Sequence, residues 1–197
     1  MHLNRELSAA KGVLVVCDGN TCRSPTLAMF LRYRARLLGL ANFLQIESAG
    51  FGKNAANGDS MPAVAQHAAT QAAPLLNLGQ QPTPTTSDLV STLRDEAIQH
   101  RSRQVAVDAE TLRPWTVVCL LTRKAESKLD PKGTLRGINS VVWLPLGDNG
   151  FRVLELHGRN ESHPDVAEAY RVQAEKLAGF VTGRLSGVFE GLRVSAA

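Results

Sequence analysis

The stretch Val13-Leu14-Val15-Val16-Cys17-Asp18-Gly19-Asn20-Thr21-Cys22-Arg23-Ser24-Pro25 constrains the chain more than any other. Val13 to Val16 are apolar and mostly β-branched, which predicts a short buried strand. Pro25 suits the first turn of a helix, with Ser24 before it as N-cap. From residue 26 to about 38, Leu27, Phe30, Leu31, Ala35 and Leu38 recur on one helical face. The tight loop between strand and helix opens with a cysteine and closes with an arginine, in the spacing C-x5-R.

A loop that feeds a helix N-terminus aims several backbone N–H groups at one point, and the helix dipole adds positive potential there. A phosphoryl dianion fits such a cradle. Asp18, Gly19, Asn20, Thr21, Cys22 and Ser24 are therefore the candidate substrate-binding residues. Cys17 lies at the floor of the cradle, where amide donors favour the ionised sulfur. Arg23 can hold two phosphate oxygens with its planar fork, which a lysine cannot imitate. Gly19 is expected to take a backbone angle that a side chain would hinder. Ser24 is expected to donate to the sulfur and help it leave. The plain alternative is a buried structural cysteine beside a helix cap. The strand before, the Gly and Asn inside, and the Ser-Pro after favour phosphate handling.

Further along, residues 43–50 read as a second strand and 62–73 as an Ala-rich helix. Residues 74–87, with Pro74, Gly79, Pro82 and Pro84, read as a linker. A helix over 88–99 follows, capped by Ser87 or Asp88. This segment reads as a surface excursion, or as a lid or partner-binding element. Residues 115–121 and 140–144 are the third and fourth strands, with a short helix over 122–129 and a loop over 147–159. A closing helix spans 165–191. Strands alternating with helices predict an α/β fold: three layers, α/β/α, around a four-stranded parallel sheet, with right-handed crossovers and the phosphate-binding loop after strand 1. The ligand then belongs at the C-terminal ends of the strands, near a topological switch point, where Cys17 lies.

A length of 197 residues suits one domain over 1–197, with the additional segment at about 74–99. The formal charge of +4 weakly favours an anionic substrate, and without an aromatic-basic stripe it gives no case for nucleic acid. Three cysteines without framework spacing point to a reducing compartment. Residues 1–11 lack the apolar run of a signal peptide, and no stretch approaches the length of a membrane span. The expectation is a cytoplasmic protein without membrane contact. No His/Cys partners stand at ligand spacing around His100, so no metal or other cofactor is expected.

The run Cys17–Pro25 resembles the C-x-G-N-x-C-R-S-P signature of the low-molecular-weight protein tyrosine phosphatases. That family includes protein-arginine phosphatases and is related to thioredoxin-coupled arsenate reductases. Ser48-Ala49-Gly50 and His100-Arg101-Ser102-Arg103-Gln104-Val105, the latter resembling H-x-x-R-x-[LIV], extend the likeness over most of the chain. The resemblance implies a phosphatase acting on phosphorylated protein through a phosphocysteine at Cys17, stabilised by Arg23. It implies that Ser48 hydrogen-bonds Asn20 and that His100 and Arg103 support the loop. It also implies a general acid in an Asp-Pro dipeptide before the last helix. Here the stretch is Glu161-Ser162-His163-Pro164-Asp165, with the Asp after the Pro. Asp165 is the expected acid, with Glu161 and His163 as alternatives. The remaining alternative makes Asp165 only the N-cap of the last helix.

Tyrosine-directed members usually carry aromatic residues after Asp-Pro, and none stands there in this chain. Thr21 resembles the Thr of the arginine phosphatases, where tyrosine-directed members usually have Ile. Phosphotyrosine and phosphoarginine both stay open as substrates. Two other readings are arsenate reduction, which needs a resolving cysteine in a mobile segment, and phosphoresidue binding with weak or no turnover. Cys22, in the same loop as Cys17, suggests a reversible disulfide with it under oxidant.

Overall fold

The computed structural model describes residues 12–77, 84–105, 115, 117–121, 140–143 and 164–183. Strand β1, Gly12–Cys17, is buried at every position, as its apolar run requires of a central parallel strand. Strand β2, Gln45–Gly50, pairs on one side of it with Cys17 opposite Gly50. Strand β3, Val117–Leu120, pairs on the other side with Val16 opposite Leu120. Strand β4, Ser140–Trp143, lies beyond β3. The order is β2-β1-β3-β4 and every pairing is parallel. The chain moves from β1 to one side and returns to the other, so the strand order reverses at β1. That is the switch point at which open α/β sheets hold ligands.

Helix α1, Arg23–Leu37, follows β1. It ends at Gly39, which takes φ 74 while Leu40 N–H reaches back to Ala35 O at 2.7 Å. A glycine in the left-handed region is the usual way to stop a helix. Phe43 falls in the turn that follows and is exposed, so β2 begins at Gln45 rather than at residue 43.

Helix α2, Ala63–Ala72, buries an alanine face. The expected linker is in part core: Ala73–Asn77 forms a 3-10 turn with Ala73, Leu76 and Asn77 buried. Tyr33 OH donates to Asn77 Oδ1 at 2.8 Å and Arg34 Nη1 to Leu76 O at 3.2 Å, tying this turn to α1. Helix α3, Pro84–Gln99, begins four residues before the expected start at 88, since Pro84 opens a helix instead of extending a linker. It is no loose excursion: Leu93 and Ala97 are buried. Its Glu96 pairs with Arg32 at 2.8 Å and Arg36 at 2.5 Å on α1.

Helix α4, Pro164–Gly183, buries Val166, Tyr170, Ala174, Leu177 and Val181 and packs on α1 and α2. The α/β architecture is the one the alternation of strands and helices predicts. The helix expected over 122–129, the loop over 147–159, residues 1–11 and the end of the closing helix lie outside the described residues. Among the described residues no helix is long and apolar enough to cross a membrane.

Candidate active site

Cys17 ends β1, and α1 begins at Arg23 with Cys22 as its N-cap. Thr26 closes the first turn by donating to Cys22 O from both its N–H, at 3.1 Å, and its Oγ1, at 2.7 Å. Ser24 is therefore not the N-cap. It lies inside the first turn, fully buried, where Pro25 also fits because the early N–H groups of a helix have no partner within it. The Ser24 Oγ lies 3.0 Å from Cys17 Sγ. It reaches Asn20 Oδ1 at 2.9 Å and Ala49 O at 3.3 Å. A hydroxyl has one proton and rotates to suit, so this proton can turn to the sulfur when the sulfur is ionised.

The left-handed residue of the loop is Asn20, with φ 53, the one non-glycine with positive φ among the described residues. Gly19 does not take that angle, and a Cβ there would meet only Thr21 Oγ1 at an ordinary 3.7 Å. Asn tolerates the left-handed region when its short side chain finds local partners, and Asn20 is buried among them. Its Oδ1 accepts from Ser24, its Nδ2 donates to Ser48 O at 3.4 Å, and its own carbonyl accepts from His100 Nε2 at 2.7 Å. The hydrogen bond between Ser48 and Asn20 thus runs through the Ser48 backbone carbonyl. Arg103 Nε donates to the same carbonyl at 2.8 Å and its Nη2 pairs with Glu47. Burial lowers the pKa of His100, only partly offset by the bond to Asn20, so the ring is neutral with its proton on Nε2.

The end of β2 supports the loop from below. Phe51 N–H donates to Cys17 O at 3.1 Å and Gly52 N–H to Asp18 O at 2.9 Å. A Cβ on Gly50 would stand 2.5 Å from Asp18 O and 3.0 Å from Asn20 N, so only glycine lets the loop lie this close. Residues 101–105 complete the edge, Gly50 N–H donating to Arg103 O and Val105 N–H to Gly50 O. Sequence reasoning missed this use of Gly50 and Gly52; their spacing at the end of a strand was the available signal. It also missed Tyr170 of α4, whose buried hydroxyl lies 3.5 Å from Cys22 Sγ. Burial pushes the Cys22 thiol up to about 11.

Arg23 is 4% exposed and makes no hydrogen bond or ion pair among the described residues. A buried guanidinium without a carboxylate is costly unless an anion joins it. Asp18, Gly19 and Thr21 stand half-exposed at the lip of the loop. Asp165 is exposed in the first turn of α4, after Pro164, so it is not the N-cap of that helix. It precedes Tyr170 by five residues, a rise of about 7.5 Å. Glu161 and His163 lie outside the described residues. The Cys17 sulfur and the Ser24 hydroxyl thus meet where the loop enters α1, and Arg23 is the first residue of that helix; a thiol, a hydroxyl and a guanidinium at a helix start are the groups that phosphoryl transfer calls for.

Comparison with known proteins agrees with this geometry. Among solved structures the fold is similar to Wzb of Vibrio vulnificus in complex with benzylphosphonate, at 15% identity and TM-score 0.54, covering 89% of this chain and 97% of that one. It is similar to the low molecular weight protein tyrosine phosphatase of T. tengcongensis, at 19% identity and TM-score 0.54, over 89% and 97% of the two chains. The YwlE arginine phosphatase matches at 18% identity and TM-score 0.50, over 89% and 99%. Comparison with curated protein sequences finds no significant match. Residues 12–130 match the family model described as low molecular weight phosphotyrosine protein phosphatase. That match spans β1, the loop, α1 and the His100 segment, and the chain belongs to this family of cysteine-dependent phosphatases.

Proposed function

We propose that the protein removes phosphoryl groups from phosphorylated protein side chains, phosphotyrosine or phosphoarginine, through a phosphocysteine intermediate. The observation that carries this reading is the Cys17 sulfur 3.0 Å from the Ser24 hydroxyl, at the mouth of a helix that begins with a buried Arg23, which pairs with no carboxylate among the described residues. Cys17 Sγ attacks phosphorus while the bond to the leaving oxygen or nitrogen breaks, and Asp165 gives that atom a proton. A water then attacks phosphorus, losing its proton to Asp165, and the P–S bond breaks to return the thiolate. Arg23 and the loop amides hold the equatorial oxygens through both steps. The Ser24 hydroxyl stabilises the sulfur as it leaves.

Cys119 is buried in β3 and its thiol is pushed up to about 12 by that burial, which makes it a poor resolving thiol for arsenate reduction. The three cysteines, buried and in no disulfide, support a cytoplasmic location, and the family match supports a phosphoprotein partner.

Rapid-quench hydrolysis of an aryl phosphate tests the mechanism. Wild type should release one equivalent of phenol in a burst, and Cys17→Ser should lose about 10³-fold or more of the rate. Asp165→Asn should lose about 10²-fold in turnover while still binding oxyanions. A steady state without a burst counts against a covalent intermediate that accumulates, and an unaltered Asp165→Asn moves the acid role to Glu161 or His163.

A further inference from the structure

Helix α3 leads directly into His100: its last residue is Gln99, and the next side chain bonds Asn20 O at 2.7 Å. Where α3 ends therefore decides where the imidazole lands. That end is closed by Arg101, whose Nη1 donates to Ile98 O at 3.1 Å and to His100 O at 2.7 Å, as basic side chains near a helix C-terminus do. Glu96 stands four residues before His100, about one helical turn. Its Oε2 accepts from Arg32 Nε at 2.8 Å, and its Oε1 pairs with Arg36 Nη1 at 2.5 Å. The two arginines are four residues apart on α1 and so share one face. Arg32 also reaches β2, its Nη1 donating to Ile46 O at 2.9 Å.

This clamp joins the three elements that hold the phosphate loop. Helix α1 carries the loop at its start, β2 offers the Ser48 carbonyl to Asn20, and α3 delivers His100. Clamp and imidazole are also close in charge: burial lowers the His100 pKa most, the bond to Asn20 opposes it, and the Arg32 guanidinium adds to the lowering. A lone surface ion pair would contribute little. Here one carboxylate is shared by two guanidiniums with its Oε1 buried, and planar donors fix direction as well as distance.

We propose that Glu96 is a positioning residue for the phosphate loop: its pairs with Arg32 and Arg36 fix the last turn of α3 and so set the His100 imidazole on the Asn20 carbonyl. Glu96 acts through His100 and takes no part in bond making. Its effect on turnover rests on the phosphatase reading above.

Hydrolysis of an aryl phosphate, followed below the melting temperature of each variant, gives the test. Glu96→Ala and Arg36→Gln should each lose about three- to tenfold in kcat/KM, the worth of one hydrogen bond. Glu96→Gln, which keeps the shape and one acceptor, should fall between Glu96→Ala and wild type. Glu96→Ala should add nothing to the loss already caused by His100→Ala, because the two act through one contact. Leu93→Ala loosens α3 but leaves the clamp, and should keep its activity. Proton and nitrogen NMR reads the same placement without turnover: the His100 Nε2–H signal should exchange faster with water in Glu96→Ala than in wild type. The proposal is overturned if Glu96→Ala keeps the wild-type kcat/KM, if it costs as much on His100→Ala as on wild type, or if Leu93→Ala loses as much as Glu96→Ala. Wild type inactive on aryl phosphates overturns the phosphatase reading instead. The NMR signal then decides the placement by itself, and equal exchange in Glu96→Ala and wild type overturns it.

Discussion

Asn20 joins four parts of the site at one residue. It carries the left-handed turn of the loop, accepts from Ser24, donates to the end of β2 and takes a proton donor from His100. His100 is half-buried, with Arg32, Arg101 and Arg103 adding to the cost of charging it. Its folded pKa lies below that of an unfolded imidazole, about 6.5. Between the two values the unfolded chain binds the extra proton, so stability rises with pH there and is lost as pH falls below about 6.5. The urea midpoint of wild type should drop from pH 7 to pH 5.5, and His100→Gln, which keeps a donor for Asn20 O, should flatten that slope. Equal slopes in the two proteins would place the titration elsewhere. Cys17 and Arg23 are legible in the sequence because their chemistry has few other uses at that spacing. The left-handed residue is not legible, because Gly19 is the better candidate by intrinsic freedom. Three side-chain and carbonyl bonds at Asn20 outweigh the roughly 1–2 kcal/mol that a left-handed angle costs.

At the scale of elements, helix boundaries carry most of the disagreement. Ser24-Pro25 reads as cap and first turn, yet α1 closes on Cys22 and draws Ser24 inside, where its hydroxyl meets sulfur instead of a backbone N–H. Pro84 reads as linker and proves to open α3. A proline in a linker and a proline in a first helical turn look alike in a sequence; only the packing that follows tells them apart. That packing is visible in Leu93, which is 1% exposed in the core shared with α1. Leu93→Ala should cost about 2–4 kcal/mol of unfolding free energy by leaving a cavity. Chemical denaturation measures it, and a loss below about 0.5 kcal/mol would show that α3 does not depend on its seat against α1. Phosphatase activity below the melting temperature should stay within about twofold, since the reacting atoms lie on β1 and the start of α1.

For the molecule as a whole, the parallel sheet and the place of the site follow from alternating strands and helices, because crossovers are right-handed and ligands gather where strand order reverses. The order β2-β1-β3-β4 is not itself written in the sequence, since nothing local to a strand says on which side of β1 it lands. What the order achieves is a buried cation. Arg23 sits at the reversal, 4% exposed, with no carboxylate paired to it among the described residues. The folded state without ligand bears the cost of desolvating that charge, and an oxyanion in the loop relieves it. Phosphate or vanadate should therefore stabilise the entire fold, by about 2.7 kcal/mol at a hundred times its Kd. For a chain of this size that is a rise of roughly 5–11 °C in melting temperature. Arg23→Met keeps the side-chain volume and removes the charge. It should melt no lower than wild type in anion-free buffer, because an apolar replacement for an uncompensated buried charge is neutral or stabilising. It should also lose the oxyanion-dependent rise. Thermal unfolding of both proteins over a phosphate titration separates the outcomes: a rise that survives in Arg23→Met would mean that the anion is held without the guanidinium. A large loss of stability in anion-free Arg23→Met would mean that the charge already has a counterpart in the resting fold.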